Sequence, residues 1–234
     1  MEVSAPPKSI KIWERGKMIG AGGYGRVYLA RILPSHPLFL LYPYFLMAVK
    51  SAEYSQSSSL HHERYLFNKF RDCPHIIRFL GYDFSFEKDQ ILSNIFLEYA
   101  SGGSLRHRIK VIARIDEIEA RSYTKSILCG LRCIHARGYV HCDINASNIL
   151  LVHGQAKIAD LGLMRKVGKF QGKFIGTREY MPPESIESGE YGTSTDIWGL
   201  GCIVFEMLTE KDGNMRIWMN FTNYGECLKK RWIF

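Results

Sequence analysis

His141-Cys142-Asp143-Ile144-Asn145-Ala146-Ser147-Asn148, with Asp160-Leu161-Gly162 following, brings one candidate base and two candidate metal ligands into a short stretch of chain. Phosphoryl transfer needs this inventory, because it asks the protein for little covalent chemistry and depends on holding a nucleotide, its metal ions and a hydroxyl nucleophile in line. Asp143 is the candidate to receive the hydroxyl proton. Asn148 and Asp160 offer oxygen ligands, the type that hard Mg²⁺ prefers. Taken alone, an Asp followed by an Asn is common in loops, where each bonds its own backbone.

The order of the other motifs overturns that plain reading. Gly20-Ala21-Gly22-Gly23-Tyr24-Gly25-Arg26-Val27 carries glycine at the three positions of G-x-G-x-x-G. Glycines there let backbone amides approach phosphate oxygens, although they equally suit an ordinary hairpin turn. The flanks, Lys17-Met18-Ile19 and Val27-Tyr28-Leu29-Ala30, read as two strands, whereas a dinucleotide-binding turn would open into a helix. Met47-Ala48-Val49-Lys50 is a short apolar run ending in a lysine. An acidic partner for Lys50 is expected on a following helix, where Leu60, Phe67 and Phe70 recur near helical spacing and Glu63 is well placed; Glu53 competes.

In this order the motifs resemble those of a eukaryotic protein kinase of the serine/threonine type. The resemblance runs from residue 17 to about 208. It takes in Gly176-Thr177-Arg178-Glu179-Tyr180-Met181-Pro182-Pro183-Glu184, with Pro182 in place of the usual Ala, and Asp196-Ile197-Trp198-Gly199-Leu200-Gly201. It implies an α+β, two-lobed fold with a β-rich N-lobe at about 13–97, a hinge at 98–103 and a mainly helical C-lobe at 104–210. Residues 211–234 would then be a divergent tail. It further implies ATP and Mg²⁺ as cofactors. Ile19, Gly20, Ala21, Gly22, Gly23, Tyr24 and Gly25 would form the phosphate flap. Val27 and Ala48 above, with Leu150 below, would sandwich the adenine, which bonds the backbone around Glu98 to Ala100, with Leu97 as gatekeeper. Lys50, held by Glu63, would orient the α and β phosphates. Asp143 would act on the substrate hydroxyl, with Asn148 and Asp160 on Mg²⁺. Thr177 points to serine or threonine as acceptor.

Departures from the pattern are specific. Cys142 stands where most kinases carry an Arg that receives an activation-loop phosphate, and residues 163–175 contain no Ser, Thr or Tyr. Activity is therefore expected not to depend on loop phosphorylation. Asn145 replaces the usual Lys and removes a full positive charge from the phosphoryl group's surroundings; losing one such contact costs roughly 10²–10³ in rate. Leu161 for Phe is mild. Too few residues follow Asp196 for the helices that complete a kinase C-lobe, so the helix near Ile197 to Leu208 is expected to leave apolar surface uncovered. Glu184 would lack its usual Arg partner, with Arg216 or Arg231 as accidental substitutes. The sequence thus supports two readings: a kinase, or a pseudokinase that binds nucleotide as a scaffold.

The wording around Gly20, Lys50, Glu98 to Leu105 and Cys142 is most similar to the plant mitogen-activated protein kinase kinase kinases, which implies a MAP kinase kinase as protein substrate. Composition agrees: 234 residues with 46% hydrophobic content suit one two-lobed domain. Six cysteines without metal-type spacing read as reduced intracellular thiols. The polar start Met1-Glu2-Val3-Ser4 carries no signal-peptide pattern; an intracellular location, cytoplasmic and also nuclear, is the expectation. The apolar run Leu38 to Met47 is about half of the ~20 residues a membrane helix needs and contains Pro43, so no membrane span is expected. It reads as a hairpin insertion or, alternatively, a docking surface. A net charge of +8 without a recognition motif argues against nucleic acid. Ser55 to Ser59 reads as a mobile entry to the Glu63 helix, and Ile118 to His135 as a core helix with Ile127, Leu131 and Ile134 on one face. His135 reads as a packed or capping residue.

Overall fold

A computed structural model describes residues 12–22, 25–34, 46–112, 114–168 and 175–209. They form two compact units, one of the described residues within 12–64 and 79–99, the other of those within 65–78 and 100–209. The α+β class expected from the sequence is the class observed. Among the described residues no helix is long and apolar enough to cross a membrane.

The first unit is a five-stranded antiparallel sheet of β1 (Trp13–Gly22), β2 (Gly25–Ile32), β3 (Leu46–Glu53), β4 (Phe79–Glu87) and β5 (Gln90–Glu98), in the order β1-β2-β3-β5-β4. Alternation puts Trp13, Ala30, Met47, Val49 and Phe96 on a buried face, where Trp13 and Phe96 meet edge to face at 5.0 Å. Arg15 is held by Glu87 at 3.0 Å, Ser51 Oγ at 2.7 Å and Asn94 Oδ1 at 2.9 Å, so its charge is fully partnered. The Ser55 to Ser59 stretch, expected as a mobile entry, takes in the end of a 3₁₀ turn (Tyr54–Gln56) and the start of helix α1 (Ser58–Lys69). Ser57 Oγ donates to Tyr54 O at 2.8 Å and fixes this turn, a local bond that a serine-rich composition conceals.

The second unit is mainly helical, with α2 (Leu105–Ile112), α3 (Glu117–Ala136), α4 (Pro183–Glu187) and α5 (Thr193–Leu208). Asp116 starts α3 by accepting from the amides of Ile118 and Glu119, both at 3.0 Å. Ile127, Leu131 and Ile134 are 0–1% exposed, which makes α3 the core helix that its periodicity predicts. Leu60, Phe67 and Phe70 are each 1% exposed. Burying one such side chain contributes about 1.5–3 kcal/mol. On α5, Leu200, Ile203 and Met207 are buried while Ile197 is 48% exposed. An apolar groove of about 540 Å³ runs between α3 and α5, with Leu128, Val204 and Leu208 in its lining.

Two small pairings frame the loops that matter. β6 (Tyr139–Val140) pairs with β9 (Arg165–Lys166), and β7 (Ile149–Val152) with β8 (Gln155–Ile158). The β7–β8 connection is two residues, His153 and Gly154, at φ 49° and 77°, the left-handed pair that a tight hairpin of matching twist requires.

Cys73 and Cys133 lie side by side, with Cα atoms 6.6 Å apart. They are 60 residues apart in sequence; the segment before β4 bonds β8 through Ile77 N to Ile158 O and Ile158 N to His75 O, and it passes close to the helix at Gly130, where a Cβ would lie 3.1 Å from His75 O. Cys129, Cys142 and Cys202 are free, and Cys227 lies outside the described residues.

Gly199 allows α5 to press against the loop that carries Asp143. A Cβ at this position would lie 2.5 Å from the carbonyl oxygen of Ile144. Gly199→Ala is therefore expected to lower stability by about 1–3 kcal/mol, read as a drop in thermal midpoint; an unchanged midpoint would show that the loop yields.

Candidate active site

Lys50 lies within β3, and its Nζ reaches Glu63 Oε2 of α1 at 2.7 Å, with side-chain exposures of 8% and 1%. Glu63 is thus the acid brought to Lys50, which decides between it and Glu53. A pair this buried is costly to break from one side, because the remaining charge is stranded. In the same unit, Gly20, Ala21 and Gly22 of β1 face Val27, Arg26 and Gly25 of β2 across the turn. Gly23 and Tyr24 lie outside the described residues. Ile19 is 41% exposed, Ala48 8%, and Ala48 pairs with Leu97 across β3 and β5. Glu98 ends β5.

In the second unit the pivot is Asp196 on α5, 1% exposed. Its carboxylate accepts from the backbone amides of His141 at 2.9 Å and Cys142 at 3.0 Å, and meets His135 Nε2 at 2.7 Å. These partners satisfy a charge that burial would otherwise penalise heavily. Cys142, at φ 67°, turns the chain sharply between His141 and Asp143. His141 is fully buried; its Nδ1 receives the Asp143 amide at 3.3 Å, which leaves Nε2 to donate to Ala159 O at 3.1 Å. His135 is therefore a packed partner of Asp196, as its place on the core helix suggests.

Asp143 projects from this turn with its carboxylate braced on both oxygens. Oδ2 accepts from Asn148 Nδ2 at 2.8 Å. Oδ1 accepts from the Thr177 amide at 2.9 Å, Thr177 Oγ1 at 2.7 Å and Asn145 Nδ2 at 2.9 Å. Every one of these donors is neutral. Thr177 is itself anchored by the 3₁₀ turn Arg178–Tyr180, because the Tyr180 hydroxyl that ends this turn donates to Glu206 at 2.8 Å. Arg106 bonds Tyr180 and approaches Glu206 at 3.6 Å. Burial pushes the Glu206 carboxyl and the Tyr180 phenol up from their ordinary values, with Arg106 pulling against both.

The β7–β8 hairpin accounts for the spacing of the two candidate ligands. Asn148 immediately precedes β7 and Asp160 follows β8, and Ala159 N donates to Asn148 O at 2.8 Å, closing the hairpin's open end. Asn148 commits its Nδ2 to Asp143, so its oxygen is the end that points elsewhere. Asp160 adopts φ 56° and accepts weakly from Gly162 N at 3.4 Å. One amide oxygen and one carboxylate fit Mg²⁺, which fills its shell with water and phosphate oxygens rather than a protein cage. Among the described residues no group of three or more His, Cys, Asp or Glu could hold a metal ion, so such an ion would rest on this smaller donor set. Leu150 of β7 is half-buried, and Ala100 opens the second segment of this unit.

Burial, reinforced by the Asp196 carboxylate, pushes the Cys142 thiol up to about 12. At 4% exposure it is also shielded, whereas Cys129 is half-buried. In the native protein at pH 8, iodoacetamide is expected to label Cys142 at least about tenfold more slowly than Cys129. Peptide mass spectrometry checks this, and equal labelling would contradict the placement of Cys142.

A protein-family model described as the protein kinase domain matches residues 13–218. Mitogen-activated protein kinase kinase kinase 20 of Arabidopsis thaliana is 39% identical over 208 residues, covering 85% of this chain and 60% of the relative. Mitogen-activated protein kinase kinase kinase 17 of the same plant is 34% identical over 201 residues, with 84% and 52% covered. Mitogen-activated protein kinase kinase kinase A of Dictyostelium discoideum is 32% identical over 216 residues, with 90% and 22% covered. The chain thus spans only part of the length of these relatives.

Proposed function

The chain belongs to the protein kinase domain family, and from that premise we propose that it transfers the γ-phosphate of ATP to serine or threonine hydroxyls of a protein substrate. The arrangement that carries this reading is the Asp143 carboxylate, fixed by Asn148 on one oxygen and by Thr177 on the other. A base so restrained needs no reorganisation when the nucleophile arrives. Asp143 would take the hydroxyl proton as that oxygen bonds to the γ-phosphorus and the bond to the ADP oxygen breaks. Lys50, kept in place by Glu63, would orient the α and β phosphates, and the β1–β2 turn at Ile19 to Gly25 would present backbone amides to the γ-phosphate. Asn148 and Asp160 would hold Mg²⁺, which when bound neutralises charge on the phosphates. Val27, Ala48 and Leu150 would pack on adenine, with Glu98 and Ala100 supplying backbone partners. The lobes are assigned to residues 13–97 and 104–210.

The substrate we favour is a MAP kinase kinase, because the relatives at 39% and 34% identity are named as kinases of that class of protein. A scaffold that binds nucleotide and transfers little phosphate is the second reading. Asn145 favours it, since a neutral amide stands 2.9 Å from Asp143 in place of a cation.

Radiolabelled Mg-ATP with a MAP kinase kinase or a generic protein acceptor separates the two. Asp143→Asn is expected to reduce transfer by about 10²–10⁴-fold while retaining nucleotide binding, and Lys50→Met to lose transfer as well. Undiminished transfer by Asp143→Asn would refute the assignment; a folded, ATP-binding chain that transfers nothing would establish the scaffold.

A further inference from the structure

Asn145 uses both ends of its amide. It is 4% exposed, and Nδ2 donates to Asp143 Oδ1 at 2.9 Å, to Asp143 O at 3.2 Å and to Thr177 Oγ1 at 3.2 Å. From the other end, Oδ1 accepts the backbone amide of Ser147 at 2.9 Å and that of Asn148 at 3.2 Å. One side chain therefore ties together the candidate base, the threonine beside it and the backbone that delivers Asn148. A lysine here could donate to Asp143 and Thr177, but it has no acceptor for the two amides. An aspartate could accept those amides, but would set a second carboxylate against Asp143.

We propose that Asn145 is a positioning residue for phosphoryl transfer, a two-ended clamp that holds the 141–148 loop to Thr177 and keeps Asp143 and Asn148 in register. Its burial and its two-way bonding distinguish it from a residue that has merely lost a charge. The kinetic part of this proposal rests on the kinase reading; the clamp itself does not, because all of its bonds join groups of the chain itself. The Ser147 amide is the cleanest reporter. Asn148 N also bonds Asn145 O at 3.0 Å and would stay partly protected, and the Thr177 amide reports the donor side through Asp143.

The test combines steady-state kinetics with residue-resolved amide hydrogen exchange on the full chain, using Asn145→Ala and Asn145→Lys. Asn145→Ala is expected to lower kcat by about tenfold with KM for Mg-ATP unchanged. It should also speed exchange at Ser147 and Thr177 by about the same factor. Asn145→Lys, which keeps donors and loses the acceptor, should speed exchange at Ser147 while leaving Thr177 protected; it serves alone if the alanine variant does not fold. Wild-type exchange at Ser147 in both variants, or a wild-type kcat in Asn145→Ala, would overturn the proposal. If the unmodified chain binds Mg-ATP but transfers nothing, the kinase reading fails, and exchange at Ser147 still decides whether the clamp exists.

Discussion

The buried carboxylate of Asp196 is the constraint on which the site rests. It accepts two consecutive backbone amides, those of His141 and Cys142, and the ring of His135. Immediately past these two amides, the left-handed φ of Cys142 turns the chain sharply into Asp143. Asp143 is then aimed by the backbone before any of its own partners act. The carboxylate comes from α5 and the histidine from α3, so the packing of these helices is converted into the direction of one side chain of the 141–148 loop. The close approach of Gly199 to Ile144 belongs to the same contact.

From this pivot the rest of the constellation is reached by short connections. The β7–β8 hairpin carries the chain from Asn148 to Asp160 and returns it one residue short of Asp160, where Ala159 bonds Asn148. β6 and β9 close the outer end by pairing Tyr139 and Val140 with Lys166 and Arg165. The Tyr180, Glu206 and Arg106 cluster fixes the segment from Thr177 onward, so Asp143 is braced from a second direction by backbone that is itself anchored. In the other unit, the Lys50–Glu63 pair is the corresponding fixed point.

Much of this is legible in the sequence because motifs are local. The G-x-G-x-x-G turn between two strands, the apolar strand ending in Lys50, the helix with Ile127, Leu131 and Ile134 on one face, and the spacing of Asp143, Asn148 and Asp160 each need only a few neighbouring residues. The features that escape depend on distant partners or on side-chain chemistry that composition hides. Thr177 reads as a marker of substrate preference, whereas its amide and hydroxyl both bond Asp143, 34 positions earlier. Asn145 reads only as a missing charge, because its acceptor role shows only when the Ser147 amide is seen against it. That Cys73 comes to lie beside Cys133 cannot be inferred from spacing. The turn near Ser57 is hidden too, since a 3₁₀ turn held by one hydroxyl has no periodicity to detect.

Central to all of this is that Asp196 sets the direction of Asp143. Single-turnover phosphate transfer by Asp196→Asn measures it, because the amide keeps the shape but turns a donor toward groups that are themselves donors. Leaving a buried donor unpaired costs about 1–3 kcal/mol. The expected result is transfer slower by about tenfold or more, with helical circular dichroism and Mg-ATP affinity retained. A wild-type rate would contradict it and would show that Asn145, Asn148 and Thr177 orient Asp143 unaided.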